Sequence, residues 1–220
     1  MTRTVIFDLD GTLADTSGDL LAAANACFRD LGLGDLLDAR DSGTALKGGR
    51  AMLRLGFSRV DGFDEDNVDD QYQPLLHNYA QAIDHHTYLY EGAIDTVRAL
   101  KSDGYVVGIA TNKPAGLAET LMRSLGVRDD FGSLIGADTL TVRKPDPEHL
   151  FEAVRRAGGD PDRCLLVGDT ATDRNTSRNA GRPSILVTFG PGDDDVRDLE
   201  PEGLIGHYDE LRGEVRRLIG

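Results

Sequence analysis

The chain is poor in cysteine, lysine and long apolar runs, and it has no tryptophan. Its two cysteines, Cys27 and Cys164, stand far apart in 220 residues. That pair makes neither a disulfide scaffold nor a metal-ligand spacing, and it suits a reducing compartment. No apolar run approaches the ~20 residues of a membrane span. The opening stretch carries Asp8 and Asp10 where a secretory leader would continue its apolar region. A cytoplasmic location is therefore expected. Cations are scarce: Lys plus Arg is 24 against 38 Asp plus Glu, a net charge of −14, and only four of the cations are lysines. Gripping a phosphate backbone needs clustered cations, and an anionic membrane surface repels such a chain. Neither nucleic acid nor membrane is expected as a partner. A solvated acidic surface accounts for the charge.

Hydrophobic residues at 40% and charged residues at 28% describe a globular chain that buries a core. Thr4–Asp8 is a short apolar run that ends abruptly in acids and Gly11, and it reads as a buried parallel strand because polar alternation is missing. Tyr105–Thr111, Ser133–Ala137, Cys164–Gly168 and Ser184–Thr188 read the same way. Helical patterns lie between them at Gly92–Ser102, Pro114–Leu125 and Pro145–Ala157. Strands alternating with helices predict an α/β fold, a parallel sheet with helices on both faces. Residues 15–87 break the alternation. Leu20–Leu31, Ala45–Leu55 and Val68–Ile83 read as helices with no strand among them. The expectation is a helical domain, 15–87, inserted into a core made of 1–14 and 88–220. Asp61–Asp70 holds six acids and no base, and reads as a solvated loop or helix face.

In open α/β sheets, ligands sit beyond the carboxyl ends of the strands. The polar residues at those ends are Asp8, Asp10, Gly11 and Thr12 after the first strand, Thr111 and Asn112 after the second, and Asp169 and Asp173 after the fourth. Lys144 stands before the helix at Pro145. Asp8 and Asp10, two apart, leave an extended segment on the same side. Together with Asp169 they repel one another in a partly dry cleft unless a cation joins them. Hard oxygen ligands with room for water favour magnesium. Thr12, Thr111, Asn112 and backbone amides around Gly11 suit phosphate oxygens, and Lys144 adds a second fixed positive charge.

These motifs resemble the haloacid dehalogenase superfamily on its phosphatase side, and within it the phosphoglycolate phosphatases. The resemblance rests on Asp8-Leu9-Asp10-Gly11-Thr12, Thr111-Asn112-Lys113-Pro114, Lys144-Pro145-Asp146-Pro147 and Gly168-Asp169-Thr170-Ala171-Thr172-Asp173, in the family's order. It implies a Rossmann-like core with a helical cap. It further implies that Asp8 attacks phosphorus, and that Asp10 protonates the leaving alcohol and then takes a proton from water. Thr111 and Lys144 would bind the phosphoryl group. Magnesium would be held by Asp8, the backbone carbonyl of Asp10, and Asp169, with Asp173 supporting directly or through water. The expected substrate is a small phosphorylated metabolite, most simply phosphoglycolate. A sugar phosphate or a mutase reaction is the nearest alternative, and a receiver-like phosphoacceptor the alternative of another class. In the cap, Lys47, Gly49 and Arg50 are the candidates for the substrate's second group. Monomer and homodimer both stay open. One stretch departs from the family: Arg174–Asn179 stands where an apolar residue and small ones usually follow the last aspartate.

Overall fold

The computed structural model describes residues 2–192 and 195–220. In chain order it contains β1 (Thr4–Phe7), β2 (Ala14–Asp15), α1 (Ser17–Asp30), α2 (Ser42–Ala45), α3 (Gly49–Phe57), α4 (Glu65–Gln81) and β3 (Tyr88–Leu89). Then follow α5 (Ala93–Ser102), β4 (Val106–Ala110), α6 (Ala115–Ser124), β5 (Ser133–Ile135), α7 (Pro147–Arg156), β6 (Cys164–Gly168), α8 (Ala171–Ala180), β7 (Ser184–Val187), β8 (Gly203–Ile205) and α9 (Leu211–Ile219). The described residues divide into two compact units, 2–14 with 89–190 and 195–220, and 15–88 with 191–192. The two-residue strands β2 and β3 are where the chain leaves the first unit and returns to it.

The first unit is built on a six-stranded sheet in the order β5-β4-β1-β6-β7-β8, with every pair parallel. Val5, Ile6 and Phe7 are wholly buried, which is why β1 is apolar on both faces. Helix α7 packs on β1, β4 and β5 and against α8, which lies on β6 and β7. Helices α5 and α9 pack on one another and on β4 and β6. Ile6, Ala110, Ile135, Leu150, Val154 and Leu166 form one buried cluster beneath α7. Burying each large apolar side chain contributes about 1.5–3 kcal/mol. The register aligns Phe7 with Ile109 on one side and with Val167 on the other. The ends of three strands thus come level, and the strand order reverses at β1, where α/β folds bind ligands.

The second unit packs α1, α3 and α4 together. Phe28 meets Phe57 edge-on at 5.2 Å, and Phe57 stacks on Phe63 at 4.7 Å. The helix expected over 45–55 is two helices, because Gly48 takes φ +98° between them. Asp64 caps α4 through the amides of Asp66 and Asn67. Part of the acidic run is thereby a helix start, and Asp69 and Glu65 within it pair with Arg50 and Arg54. Asp19 is buried and accepts hydrogen bonds from the His86 amide at 2.9 Å and the Thr87 hydroxyl at 2.7 Å, tying the start of the unit to its end. Among the described residues, no helix is long and apolar enough to cross a membrane.

Candidate active site

The loop after β1 turns tightly on one acceptor. The carbonyl of Leu9 takes the amides of Thr12, Leu13 and Ala14 at 3.3, 2.9 and 3.1 Å. Gly11 sits at φ +79°, a conformation that a side chain disfavours. Asp8 prolongs the β1–β6 ladder, its amide donating to the carbonyl of Val167 at 2.8 Å. Its carboxylate is fixed at Oδ1, which accepts the Leu9 amide at 2.7 Å and lies 2.9 Å from Lys144 Nζ.

Lys144 is 3% exposed and bridges the end of β1 and the first turn of α8, with Nζ 2.6 Å from Asp173 Oδ1 as well. Asp173 lies in the first turn of α8. Thr170 is the cap, and Asp173 completes a capping box with it. Asp173 Oδ2 accepts the Thr170 hydroxyl at 2.6 Å and the amides of Thr170 and Asp169 at 3.1 and 3.3 Å. The approach of α8 needs Gly168, where a Cβ would stand 2.4 Å from the Asp173 side chain. Asp169 Oδ1 accepts the Thr12 hydroxyl at 2.8 Å.

Asp8, Asp169 and Asp173 bring carboxylate oxygens within 4.8 Å of one another, all three buried, with one lysine between them. Burial raises the pKa of Asp8, and Asp173 and Asp10 push the same way against Lys144. Burial also holds Asp169 well above the carboxylate range, reinforced by Asp173 and Asp8. For Lys144, burial opposes the charge, but Asp173 and Asp8 outweigh it and keep the ammonium protonated. Asp169 Oδ2 is buried with no hydrogen-bond partner among the described residues. A buried acceptor left unmatched costs ~1–3 kcal/mol. Three buried acids beside one ammonium, with one orphaned oxygen, could hold a hard divalent cation.

The other residues expected at the site fall differently. Thr111 is buried, and its hydroxyl accepts the Lys113 amide at 3.1 Å. Thr12 is expected on phosphate, yet its hydroxyl is buried and spent on Asp169. The amides at Gly11 and Thr12 are also spent, on the carbonyls of Ala14 and Leu9. Tight closure of the loop uses the donors that the sequence offers to a ligand. Asn112 donates its side-chain amide to the carbonyl of Lys144 at 3.1 Å, joining the second and third motifs. Asp10 does not enter the carboxylate cluster; its Oδ1 lies 2.7 Å from the buried ammonium of Lys113. In the helical unit, Gly49 opens α3, and Lys47 precedes it by two residues. Arg50 pairs with Asp69 and stacks over Tyr72 at 4.4 Å.

Three features escape a reading by motif. Lys113 follows Thr111-Asn112 directly, so its adjacency is the signal for its pairing with Asp10. Arg174 is buried and fully occupied, donating to the carbonyls of Leu199 and Glu200 at 3.2 and 2.8 Å and to Glu202 at 2.9 Å. The polar stretch after Asp173 thus seats α8 through hydrogen bonds in place of apolar packing. Tyr208 donates its buried hydroxyl to the carbonyl of Thr12 at 2.6 Å across 196 residues of chain, and nothing in the sequence signals it.

A family model of haloacid dehalogenase-like hydrolases matches residues 2–181. The chain is 37% identical to a phosphoglycolate phosphatase of Mesorhizobium japonicum, covering 98% of this chain and 96% of the relative. It is 32% identical to an N-acetylmuramic acid 6-phosphate phosphatase of Pseudomonas putida, covering 96% and 94%. Its fold is similar to that of a haloacid dehalogenase-like hydrolase of Streptococcus pneumoniae, with a TM-score of 0.79 at 22% identity over 96% of this chain and 97% of that one. With four motifs gathered at one edge of the parallel sheet and a family match over most of its length, the chain belongs to the haloacid dehalogenase-like hydrolases and is a phosphoric monoester hydrolase.

Proposed function

We propose that the protein hydrolyses 2-phosphoglycolate with magnesium as cofactor, through a phosphorylated Asp8. The observation that carries this reading is the buried trio of Asp8, Asp169 and Asp173 around Lys144, with Asp169 Oδ2 unmatched. Asp8, Asp169 and the backbone carbonyl of Asp10 would hold the ion, and Asp173 would support them. The ion supplies positive charge that lets a carboxylate approach a phosphate dianion.

The chain's own residues then do the following. The Asp8 carboxylate, aimed by Leu9 and Lys144, forms a bond to phosphorus as the ester P–O bond breaks. Asp10 gives its proton to the departing alkoxide. Water next attacks phosphorus, Asp10 takes its proton, and the bond to Asp8 breaks to release inorganic phosphate. Lys144 and Thr111 hold the phosphoryl oxygens. Lys113, 2.7 Å from Asp10, keeps that carboxylate in place between the two steps. Asp173 already spends both oxygens on Lys144 and the α8 cap, so its part is to position Lys144.

Phosphoglycolate is favoured because the Mesorhizobium relative named for it is 37% identical over nearly the whole chain. Its carboxylate needs a partner other than Lys144, and Lys47, Gly49 and Arg50 are the residues proposed for it. A second reading, a sugar phosphate, has the N-acetylmuramic acid 6-phosphate relative behind it. The buried, unpaired thiols of Cys27 and Cys164 favour a cytoplasmic location.

Turnover of the two phosphate esters, each with magnesium and with excess EDTA, tests the reading. Phosphoglycolate should give the higher kcat/KM, and EDTA should abolish it. Acid quenching and mass spectrometry should find a phosphoryl group on Asp8, and Asp8→Asn should lower the rate at least ~10³-fold, a barrier change of about 4 kcal/mol. Full activity in EDTA, or near-normal turnover by Asp8→Asn, overturns the mechanism. Preference for the sugar phosphate overturns the substrate alone.

A further inference from the structure

Tyr208 lies in the 3-10 turn Tyr208–Glu210 that precedes α9, far in sequence from every motif, and is 1% exposed. Its ring packs against Phe189 at 5.5 Å, and its Cβ lies over Gly92, where an added Cβ would stand 3.3 Å from it. Its hydroxyl ends 2.6 Å from the backbone oxygen of Thr12. Thr12 is itself wholly buried, and its amide and hydroxyl are both committed, to Leu9 and to Asp169. Burial and the nearby Asp169 both raise the Tyr208 pKa, so the phenol stays protonated and able to donate. The residue therefore fixes the peptide whose side chain fixes Asp169.

We propose that Tyr208 is a positioning residue for magnesium: by holding the Thr12 carbonyl, its hydroxyl sets the Thr12 hydroxyl against Asp169 Oδ1 and leaves Oδ2 aimed for the ion. The inference rests on the magnesium reading above. Without the phenol oxygen, the Thr12 carbonyl is a buried acceptor lacking its donor, and the peptide gains by rotating toward some other partner. That rotation moves the Thr12 hydroxyl, and Asp169 loses the bond that orients it. A hydrogen bond of this kind is worth roughly 2- to 10-fold in an equilibrium constant.

Tyr208→Phe removes one atom and keeps the ring. Calorimetric titration of the full chain with magnesium alone should show Kd raised roughly 2- to 10-fold. Turnover of a phosphate ester should fall at limiting magnesium and recover at excess magnesium. Melting temperatures separate the two parts of the effect. The value in EDTA carries any structural cost, while the increment added by magnesium should shrink. Thr12→Val, which deletes the second link and leaves its carbonyl in place, should raise Kd as well. The double variant should add little to either single one, because the two act in series. A Tyr208→Phe chain with unchanged Kd overturns the proposal. So does a Thr12→Val chain with unchanged Kd, even where Tyr208→Phe fails to fold. Absence of magnesium binding in the unaltered chain would take down the magnesium reading itself, and the inference with it.

Discussion

Two regions of this molecule use the same residue types to opposite ends. In the helical unit, Arg40 pairs with Asp38 and Arg54 with Glu65, and these four side chains are 49–88% exposed. At the strand ends, Lys144 meets Asp8 and Asp173, and the three side chains are 0–11% exposed. Water screens the first set, so each pair contributes little to stability. The second set has given up its hydration, and each charge there depends on its neighbours. One region holds its charges in water. The other keeps three acids beside one ammonium, an imbalance that a bound cation would offset.

The largest effect that sharpens this contrast is expected at Lys144. Lys144→Met leaves Asp8 and Asp173 buried without their cation, and should destabilise the metal-free protein by about 3–5 kcal/mol. Urea unfolding in EDTA measures it. A cost below 1 kcal/mol would put the buried cluster in the same class as the surface pairs.

His149 sharpens the comparison by pH. It is wholly buried, its Nε2 lies 3.2 Å from the carbonyl of Gly136, and burial lowers its pKa to about 4. Between the unfolded value near 6.5 and the folded value of about 4, the unfolded chain binds one proton more than the folded one. Stability is therefore full above pH 6.5 and falls with acidification, by up to about 1.4 kcal/mol per pH unit and about 3 kcal/mol in all. His149→Gln should flatten that slope by one proton in urea titrations between pH 7 and 4.5. An unchanged slope would mean that other groups carry the acid sensitivity.

Arg50 tests whether an exposed cation still does chemistry. It is 40% exposed and engaged with Asp69 and Tyr72. If it also meets the substrate's carboxylate, Arg50→Ala lowers kcat/KM for phosphoglycolate by about 10- to 150-fold, the worth of a charge-assisted contact of ~1.5–3 kcal/mol. An aryl phosphate lacking the carboxylate should turn over as before. Equal losses on both would return Arg50 to a structural part beside Asp69. The smallest effect belongs to Arg54, whose pairing with Glu65 is fully on the surface. Arg54→Ala should leave the thermal melt and turnover nearly unchanged. A larger change in its thermal melt would break the contrast from the other side.

The strands that carry the chemistry were legible because each is a short apolar run stopped by an acid, a threonine or a glycine. The structure trims Thr4–Asp8 to Thr4–Phe7 and leaves Cys164–Gly168 unchanged. Strand β8 and helix α9 were not legible. Gly203–Ile205 is three residues long, and Leu211–Ile219 carries three arginines around a narrow apolar face of Leu211 and Val215. Their stability comes from the sheet edge and from α5, which a local pattern does not encode. At the site, the acids could be read from their positions after strands, and Lys144 from its place before a helix. The duties of Thr12 and Asn112 could not, because residue type does not say which way a hydroxyl or amide points. The Gly11 amide is a donor in any sequence, and the turn directs it onto the carbonyl of Ala14.

The place of β1 in the sheet bears on how the protein is made. It is translated first of the six strands, yet it lies in the middle, between β4 and β6. Both of its edges therefore stay bare until a ribosome has added Ala110 on one side and Gly168 on the other. At ~5–20 residues per second the second edge waits roughly 8–35 s. An apolar strand with open hydrogen-bonding groups is prone to pair with other chains during that interval. Asp8 and Asp10, directly behind the strand, give the nascent segment two like charges that oppose such pairing, a service rendered before either has met a substrate.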